Sequence, residues 1–215
     1  MIKNILILNM TRMGDLVQST PSIIGLSKQY PNACITLMVT SAFEEFSKKI
    51  PCVNKRVIFD INQLANQVDK NQTSWIDVYK YLESLLIELN GRKYDLVINL
   101  SHSKLSALMI SYLNIKNMRG FGCDDNGDRR TLDPWMQYFG IEPFNRELNP
   151  FNLVEIFTRS AGVSPEETPI QLVNKDTDVK LISKILEKGN LNDDYVFIFW
   201  HLFYGPCSSS FALLS

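Results

Sequence analysis

The chain has 215 residues, 45% of them hydrophobic, and its 22 basic and 23 acidic side chains leave a formal net charge of -1. This balance argues against a nucleic-acid-binding protein, which usually carries a strongly basic face. The four cysteines are scattered and form no Cys-x-x-Cys pair, so we expect no metal site and a reducing, cytoplasmic environment. The opening apolar run is too short for a signal peptide or a membrane span.

Short apolar runs and amphipathic segments alternate along the first 121 residues. They predict strands at residues 4–9, 34–39, 56–59, 94–100 and 118–121, and helices at residues 21–30, 74–90 and 103–113. Ser74 is expected to cap the second of these helices, and Gly91 to lie just past its end. Strands that are apolar on both faces and alternate with helices predict an α/β fold, a Rossmann-like parallel sheet with helices on both faces.

The sequence changes character after residue 121. Residues 122–149 are polar and rich in turn-forming residues, which predicts a long loop. A helix is predicted at residues 150–161, with Pro150 in its first turn and Gly162 at its end. The remaining segments predict a linker, a helix and a strand, at residues 164–176, 177–188 and 195–199 respectively.

An acidic side chain, Asp15, follows the first strand in the stretch NMTRMGD, residues 9–15. It is either an N-cap that stabilises the next helix by about 1 kcal/mol, or a carboxylate that takes a proton from a substrate hydroxyl. The second interpretation suits its place, because open parallel sheets bind ligands at the carboxyl ends of their strands. The stretch has one glycine, Gly14, and lacks G-x-G-x-x-G, which ranks a nucleotide-dependent oxidoreductase low. Pro21 requires either a kink near Thr20 or a second helix that Thr20 caps.

The stretch ILILNMTRMGDLVQSTPSIIGLSKQYPNACITLMVT, residues 5–40, resembles the N-terminal region of glycosyltransferase family 9, the ADP-heptose:lipopolysaccharide heptosyltransferases. The shared pattern is a strand, a short Ser/Thr-containing loop, Met-Gly-Asp, Thr-Pro, a helix and a second strand. The resemblance continues through PCVNKRVIFD (51–60), KYDLVINLSHSKLSALMISYLNIKNMRGF (93–121) and the helix at 150–163, and covers roughly residues 1 to 198. It implies a GT-B fold, in which one Rossmann-like domain holds the acceptor and a second holds the nucleotide-sugar.

The resemblance also implies a reaction and residue roles. Asp15 matches the family's base, which activates the acceptor hydroxyl for an inverting, metal-independent transfer of heptose. No cofactor is implied, and ADP-heptose is the co-substrate. Inner-core acceptors carry carboxylates and phosphates, so cationic residues near the cleft are candidates to bind them, with an exposed solubilising charge as the alternative for each. The candidate acceptor-binding residues are Thr11, Arg12, Met13, Gly14, Ser101, His102, Lys104, Arg119, Arg129 and Arg130.

The implied partner is the lipopolysaccharide core or its lipid A precursor, and no nucleic acid. The implied location is the cytoplasm of a Gram-negative bacterium, which allows peripheral contact with the inner face of the inner membrane. The implied domains are an acceptor-binding domain at residues 1–163, the linker at 164–176 and the start of a donor-binding domain at 177–215.

The end of the sequence departs from the family pattern. From about residue 199, the stretch FWHLFYGPCSSSFALLS does not match the family's continuation and has neither helical nor strand periodicity. We therefore expect a truncated donor domain with an aberrant tail, and no transfer by this chain alone. The alternative hypothesis is a non-catalytic Rossmann-like binding module that docks on another protein or on a separate donor-domain chain.

Overall fold

The computed structural model describes residues 2–70, 73–113, 115–140, 147–165 and 169–173, and positions 180, 183, 184 and 187. The chain divides into two compact units, Met1–Val173 and Asn174–Ser215. The four described positions of the second unit are helical and lie within the predicted helix at 177–188. The predicted strand at 195–199 and the tail lie outside the described residues. The assignment of the linker and of a second domain stays a prediction.

The described residues of the first unit form a six-stranded sheet in the order β3-β2-β1-β4-β5-β6. The strands are β1 (Asn4–Leu8), β2 (Cys34–Thr40), β3 (Lys55–Phe59), β4 (Leu96–Asn99), β5 (Met118–Cys123) and β6 (Arg129–Thr131). The first five strands are parallel, and β6 pairs with β5 in the antiparallel direction. The order of the five parallel strands is the doubly wound arrangement of Rossmann-like folds, so the predicted fold class is confirmed.

Helices cover both faces of this sheet. They are α1 (Met13–Gln18), α2 (Thr20–Gln29), α3 (Glu44–Ser47), α4 (Ile61–Asp69), α5 (Trp75–Gly91), α6 (Lys104–Tyr112), α7 (Pro134–Phe139) and α8 (Leu153–Ala161). Successive side chains of a strand point to opposite faces. Ile5 and Ile7 of β1 therefore pack with α1, α2, α7 and α8, while Leu6 and Leu8 pack with α5 and α6. Among the described residues, no helix is both long and apolar enough to cross a bilayer.

The predicted helix ends at Ser74 and Gly162 are confirmed, and the one at Gly91 is wrong. Ser74 caps α5 through a reciprocal capping box, in which its Oγ accepts from the Asp77 backbone N–H at 3.3 Å. Gly162 ends α8 in the left-handed conformation, with φ 78°. Gly91, by contrast, is the last residue of α5, because the left-handed position beyond this helix is taken by Lys93, with φ 50°.

The region after β5 contains more regular structure than the sequence predicts. The predicted loop at 122–149 includes β6 and α7. Earlier in the chain, α4 was not predicted either. β6 has three residues and α7 has six, which is too short for a periodic pattern to emerge.

The predicted start of α8 at Pro150 is wrong. The helix begins at Leu153, because the Asn152 side chain accepts from the Glu155 backbone N–H at 2.9 Å and the Glu155 carboxylate accepts from the Asn152 backbone N–H at 3.2 Å. This capping box places the first turn of the helix after the proline.

Candidate functional site

The loops that follow β1 and β4 lie side by side at the carboxyl edge of the sheet. The Leu100 backbone N–H donates to the Leu8 carbonyl at 2.9 Å, and the Met10 backbone N–H donates to Ser101 Oγ at 2.8 Å. The two strands are central neighbours whose connections lead to opposite halves of the sheet. A doubly wound sheet opens a ligand-binding crevice at this reversal point.

Asp15 lies in the first turn of α1 at this crevice. It is the third residue of the helix, so the N-cap interpretation is wrong; Arg12 occupies the cap position without a side-chain cap bond. Thr11 Oγ1 donates to Asp15 Oδ2 at 3.2 Å. The carboxylate is half-buried, which leaves part of it accessible to a ligand. An acidic side chain in the first turn is also favoured by the positive end of the helix dipole.

The segment that carries Asp15 is a separate short helix, as Pro21 predicts. α1 ends at Gln18 and is capped by Ser19, whose backbone N–H donates to the Asp15 carbonyl at 3.0 Å. α2 starts at the residue after Ser19. The cap position of α2 belongs to Ser19 and not to Thr20, which is the first helical residue. Of the two alternatives for Pro21, the second helix start is therefore confirmed.

Gly14 faces open space beside Asp15. A Cβ atom built there meets nothing within 4 Å, and the residue does not have a positive φ. The fold therefore gives no steric reason for glycine, although glycine within a helix costs roughly 0.5–1 kcal/mol relative to alanine. Met13, next to it, is 47% exposed. Together they form an accessible rim at the start of α1.

Asn99 holds the second loop in place, and it was missed in the sequence. Its Nδ2 donates to the Phe121 carbonyl at 3.0 Å and to Ser106 Oγ at 3.1 Å, and its Oδ1 accepts from the Ser101 backbone N–H at 3.0 Å. The one signal in the sequence is an amide at the end of a buried strand. Asn9, at the end of β1, is a second buried amide that was missed, and neither of its side-chain atoms has a partner among the described residues.

Ser101 does not face the crevice as predicted. It is fully buried, its Oγ accepts from the Met10 N–H, and its carbonyl accepts from Ser106 Oγ at 2.9 Å. Ser101 therefore joins the two loops through these hydrogen bonds. A fully buried hydroxyl offers no surface to an acceptor.

His102 lies at the rim of the crevice, where several predicted residues come together. Its ring packs against Phe139 with the centroids 5.5 Å apart, and its carbonyl accepts from the Arg129 guanidinium. Burial, the nearby charge of Arg129 and then that of Arg12 lower the pKa of His102, and the carboxylate of Asp15 opposes them. The charges of Arg12, Arg129 and Asp15 therefore all act on His102.

The other predicted cations have different surroundings. Lys104 is exposed and pairs with Asp128 at 3.2 Å. Arg130 is exposed on β6. Arg119 does not lie with the residues around His102. Its Nη1 donates at 2.6 Å to the carbonyl of Ala161, at the end of α8. A cation at a helix C-terminus is favoured by the helix dipole, so Arg119 stabilises the fold and its predicted place among the acceptor-binding residues is not supported.

Fold and site together define a doubly wound α/β domain whose crevice carries an acidic side chain where dinucleotide-binding domains carry a glycine-rich loop. No protein-family model matches the chain. Among curated proteins, lipopolysaccharide heptosyltransferase 3 of Escherichia coli is 26% identical over 103 residues, which is 48% of this chain and 28% of that relative.

Solved structures also resemble the chain. The family 9 glycosyltransferase of Veillonella parvula matches with a TM-score of 0.60 and 15% identity, over 90% of this chain and 52% of that one. The E. coli ADP-heptose lipopolysaccharide heptosyltransferase II matches with a TM-score of 0.53 and 18% identity, over 89% and 52% of the chains. E. coli heptosyltransferase WaaC, solved with ADP-2-deoxy-2-fluoro heptose, matches with a TM-score of 0.52 and 16% identity, over 78% and 51%.

These comparisons confirm the resemblance to heptosyltransferases of glycosyltransferase family 9 that the sequence predicts. The chain spans about half the length of the solved structures and 28% of the curated relative.

Proposed function

We propose that this chain is the acceptor-binding part of a glycosyltransferase similar to the lipopolysaccharide heptosyltransferases, with Asp15 as the base. The observation that carries the proposal is the half-buried Asp15 carboxylate, oriented by Thr11 at the crevice between the β1 and β4 loops. Relatives whose names describe heptose transfer to lipopolysaccharide support the choice of reaction.

In the proposed reaction, an acceptor hydroxyl attacks the anomeric carbon of the heptose in ADP-heptose. The bond from that carbon to the ADP oxygen breaks, ADP leaves, and Asp15 takes the hydroxyl proton. The Thr11 hydroxyl donates to Oδ2, which leaves Oδ1 for the acceptor. No metal ion is needed for this proton transfer.

The open space at Gly14 supports the same site. A glycine that the fold does not require suggests that a ligand approaches the backbone closely at the first turn of α1. Arg12 and Met13 border this space and, with Thr11, form the proposed acceptor surface, together with His102 on the opposite loop. Exposed Lys104 and Arg130 extend it toward the β5–β6 hairpin.

The proposed acceptor is the inner core of lipopolysaccharide or its lipid A precursor. This acceptor places the chain in the cytoplasm of a Gram-negative bacterium, in peripheral contact with the inner membrane.

Acceptor binding by the chain itself tests the proposal, with lipopolysaccharide inner-core oligosaccharide as the probe. In NMR titrations, the oligosaccharide should shift the amide signals of residues 10–15 and 101–103. Gly14→Ala should weaken binding at least tenfold in calorimetry, because its methyl group enters the open space. Gly91→Ala is the matched control, since it also lies in a helix with nothing within 4 Å of its Cβ.

Asp15→Asn separates the base from the binding surface. Because no transfer is expected from this chain alone, transfer from ADP-heptose is measured with a separate donor-domain chain added. It should be lost in this variant, while binding of the oligosaccharide stays within threefold of the parent, as in the exposed control Asp69→Asn. Transfer that persists without the Asp15 carboxylate would contradict the proposed base. Failure of the oligosaccharide to bind at residues 10–15 would contradict the proposed site and favour the binding-module alternative.

A further inference from the structure

The imidazole of His102 is held in one orientation by aromatic side chains. Phe139 lies against it at 5.5 Å between centroids, with an angle of 36° between the ring planes. Phe139 is held in turn by an edge-on contact with Phe121, at 5.4 Å and 80°. Nδ1 of His102 is buried and has no partner among the described residues, so a ligand would meet the ring along its accessible side.

The guanidinium of Arg129 contacts two neighbouring groups of the protein. Its guanidinium donates to the main-chain carbonyl of His102 and lies 5.4 Å from the centre of the Phe121 ring. The first contact joins the β5–β6 hairpin to the loop that carries His102, and the second keeps the guanidinium against a ring of the same hairpin. Arg129 therefore contacts the backbone and aromatic support of His102 directly.

Three charged groups act on His102, each from a different element. They are Arg129 on β6, Arg12 before α1 and Asp15 within α1. Burial and the two arginines lower the pKa of the imidazole against the opposing effect of Asp15, so the ring is neutral at pH 7. A neutral imidazole has one donor and one acceptor, whereas an imidazolium has donors only. Because Nδ1 is buried, a ligand would reach Nε2, which can accept a hydrogen bond from a hydroxyl group only in the neutral ring.

We propose that His102 is a specificity-determining residue that hydrogen-bonds, as a neutral imidazole, to a hydroxyl group of the acceptor sugar, and that Arg129 is a positioning residue for it. The inference rests on the proposed function and adds to it a chemical selection, for a hydroxyl and against an anionic group at this point of the site. It also changes the predicted role of Arg129 from acceptor ligand to support of His102.

The pH dependence of acceptor binding tests this role. The sequence has two histidines, so the imidazole signals of the 15N-labelled chain can be assigned with a single variant, His102→Gln. Binding of inner-core oligosaccharide should weaken at least tenfold as the pH falls through the lowered pKa of His102. His102→Gln, which keeps a neutral donor and acceptor, should bind within threefold of the parent at pH 7 and lose this pH dependence. His102→Phe should bind at least tenfold more weakly at pH 7.

Arg129→Gln tests positioning, and Arg130→Gln, a neighbouring exposed arginine on the same strand, is its matched control. Arg129→Gln should raise the pKa of His102 and move the loss of binding to higher pH, and it should also weaken binding at least threefold at pH 8, because the loop that carries His102 loses this contact. Arg130→Gln should change the pKa of His102, and the pH at which binding is lost, by less than Arg129→Gln does. Circular dichroism checks that both variants are folded.

Two results would overturn the inference while leaving the proposed function intact. The first is binding that strengthens when His102 is protonated, which would indicate an anionic group. The second is oligosaccharide binding that depends on pH in His102→Gln as it does in the parent, while Gly14→Ala still weakens binding as the proposed function expects. Absence of oligosaccharide binding by the parent chain would instead contradict the proposed function, and this inference with it.

Discussion

Replacing Asn99 with alanine tests how the candidate site is held together. The substitution removes three buried hydrogen bonds, which the Asn99 amide makes with the Phe121 carbonyl, Ser106 Oγ and the Ser101 N–H at 3.0 to 3.1 Å. At about 1 kcal/mol net for each bond, the loss is roughly 3 kcal/mol. Because Ser101 and Phe121 are buried and their main-chain groups lose these partners, the total loss should reach roughly 3 to 5 kcal/mol.

Urea unfolding followed by far-UV circular dichroism measures this loss. A decrease of that size is a large part of the roughly 5–15 kcal/mol by which a domain is usually stable. Asn90→Ala on the exposed side of α5 is the matched control, and it should change the free energy of unfolding by less than about 0.5 kcal/mol. A loss below about 1 kcal/mol for Asn99→Ala would refute the reasoning, since it would mean that the network contributes no more than one hydrogen bond.

Three further predictions concern stability, each read from urea unfolding. Gly25→Ala should destabilise the chain by about 1–3 kcal/mol, because its Cβ would lie 2.0 Å from Val163 Cγ1. Adding Val163→Ala to this variant should restore most of the lost stability. An unchanged free energy of unfolding in Gly25→Ala alone would contradict the close packing. Gly91→Ala should stabilise the chain by about 0.5–1 kcal/mol, since open space surrounds a helical glycine, and destabilisation would count against this. The free energy of unfolding should fall as the pH drops from about 6.5, the ordinary histidine pKa, to the lowered pKa of His102 in the folded chain, because the unfolded chain binds the extra proton first. His102→Gln should make this decrease smaller, and an equal decrease in the variant would exclude His102 as its source.

Much of the sheet could be predicted from the sequence because its strands are continuous apolar runs. Each of the five parallel strands was predicted to within two residues at either end. The antiparallel strand β6 could not be predicted, since its residues are Arg129, Arg130 and Thr131, two of them charged and none strongly apolar. It exists because β5 continues past the end of β4, so that Phe121, Gly122 and Cys123 of β5 can pair with the three residues of β6.

The candidate site also contains residues whose place could be predicted from the sequence and residues whose place could not. Asp15 and His102 each lie in the segment that comes after a strand, so their place at the carboxyl edge follows from the alternation of strands and helices. Ser101 also follows a strand, but the sequence could not show that Met10, 91 positions away, would bury and occupy its hydroxyl. Arg119 was grouped with the other cations by its type, and the contact with Ala161 depends on how α8 packs.

The sequence by itself determined the order of strands and helices, the doubly wound fold class and the position of an acidic residue at the end of β1. These features depend on local apolar periodicity and on the fixed geometry of a parallel sheet. Only the tertiary structure decided which side chains share the crevice. The contacts of His102 with Arg129 and Phe139 join residues 27 and 37 positions apart, and they form when the β5–β6 hairpin and α7 pack over the loop after β4. No local pattern can encode such contacts, since they depend on how separate elements bury their surfaces against one another.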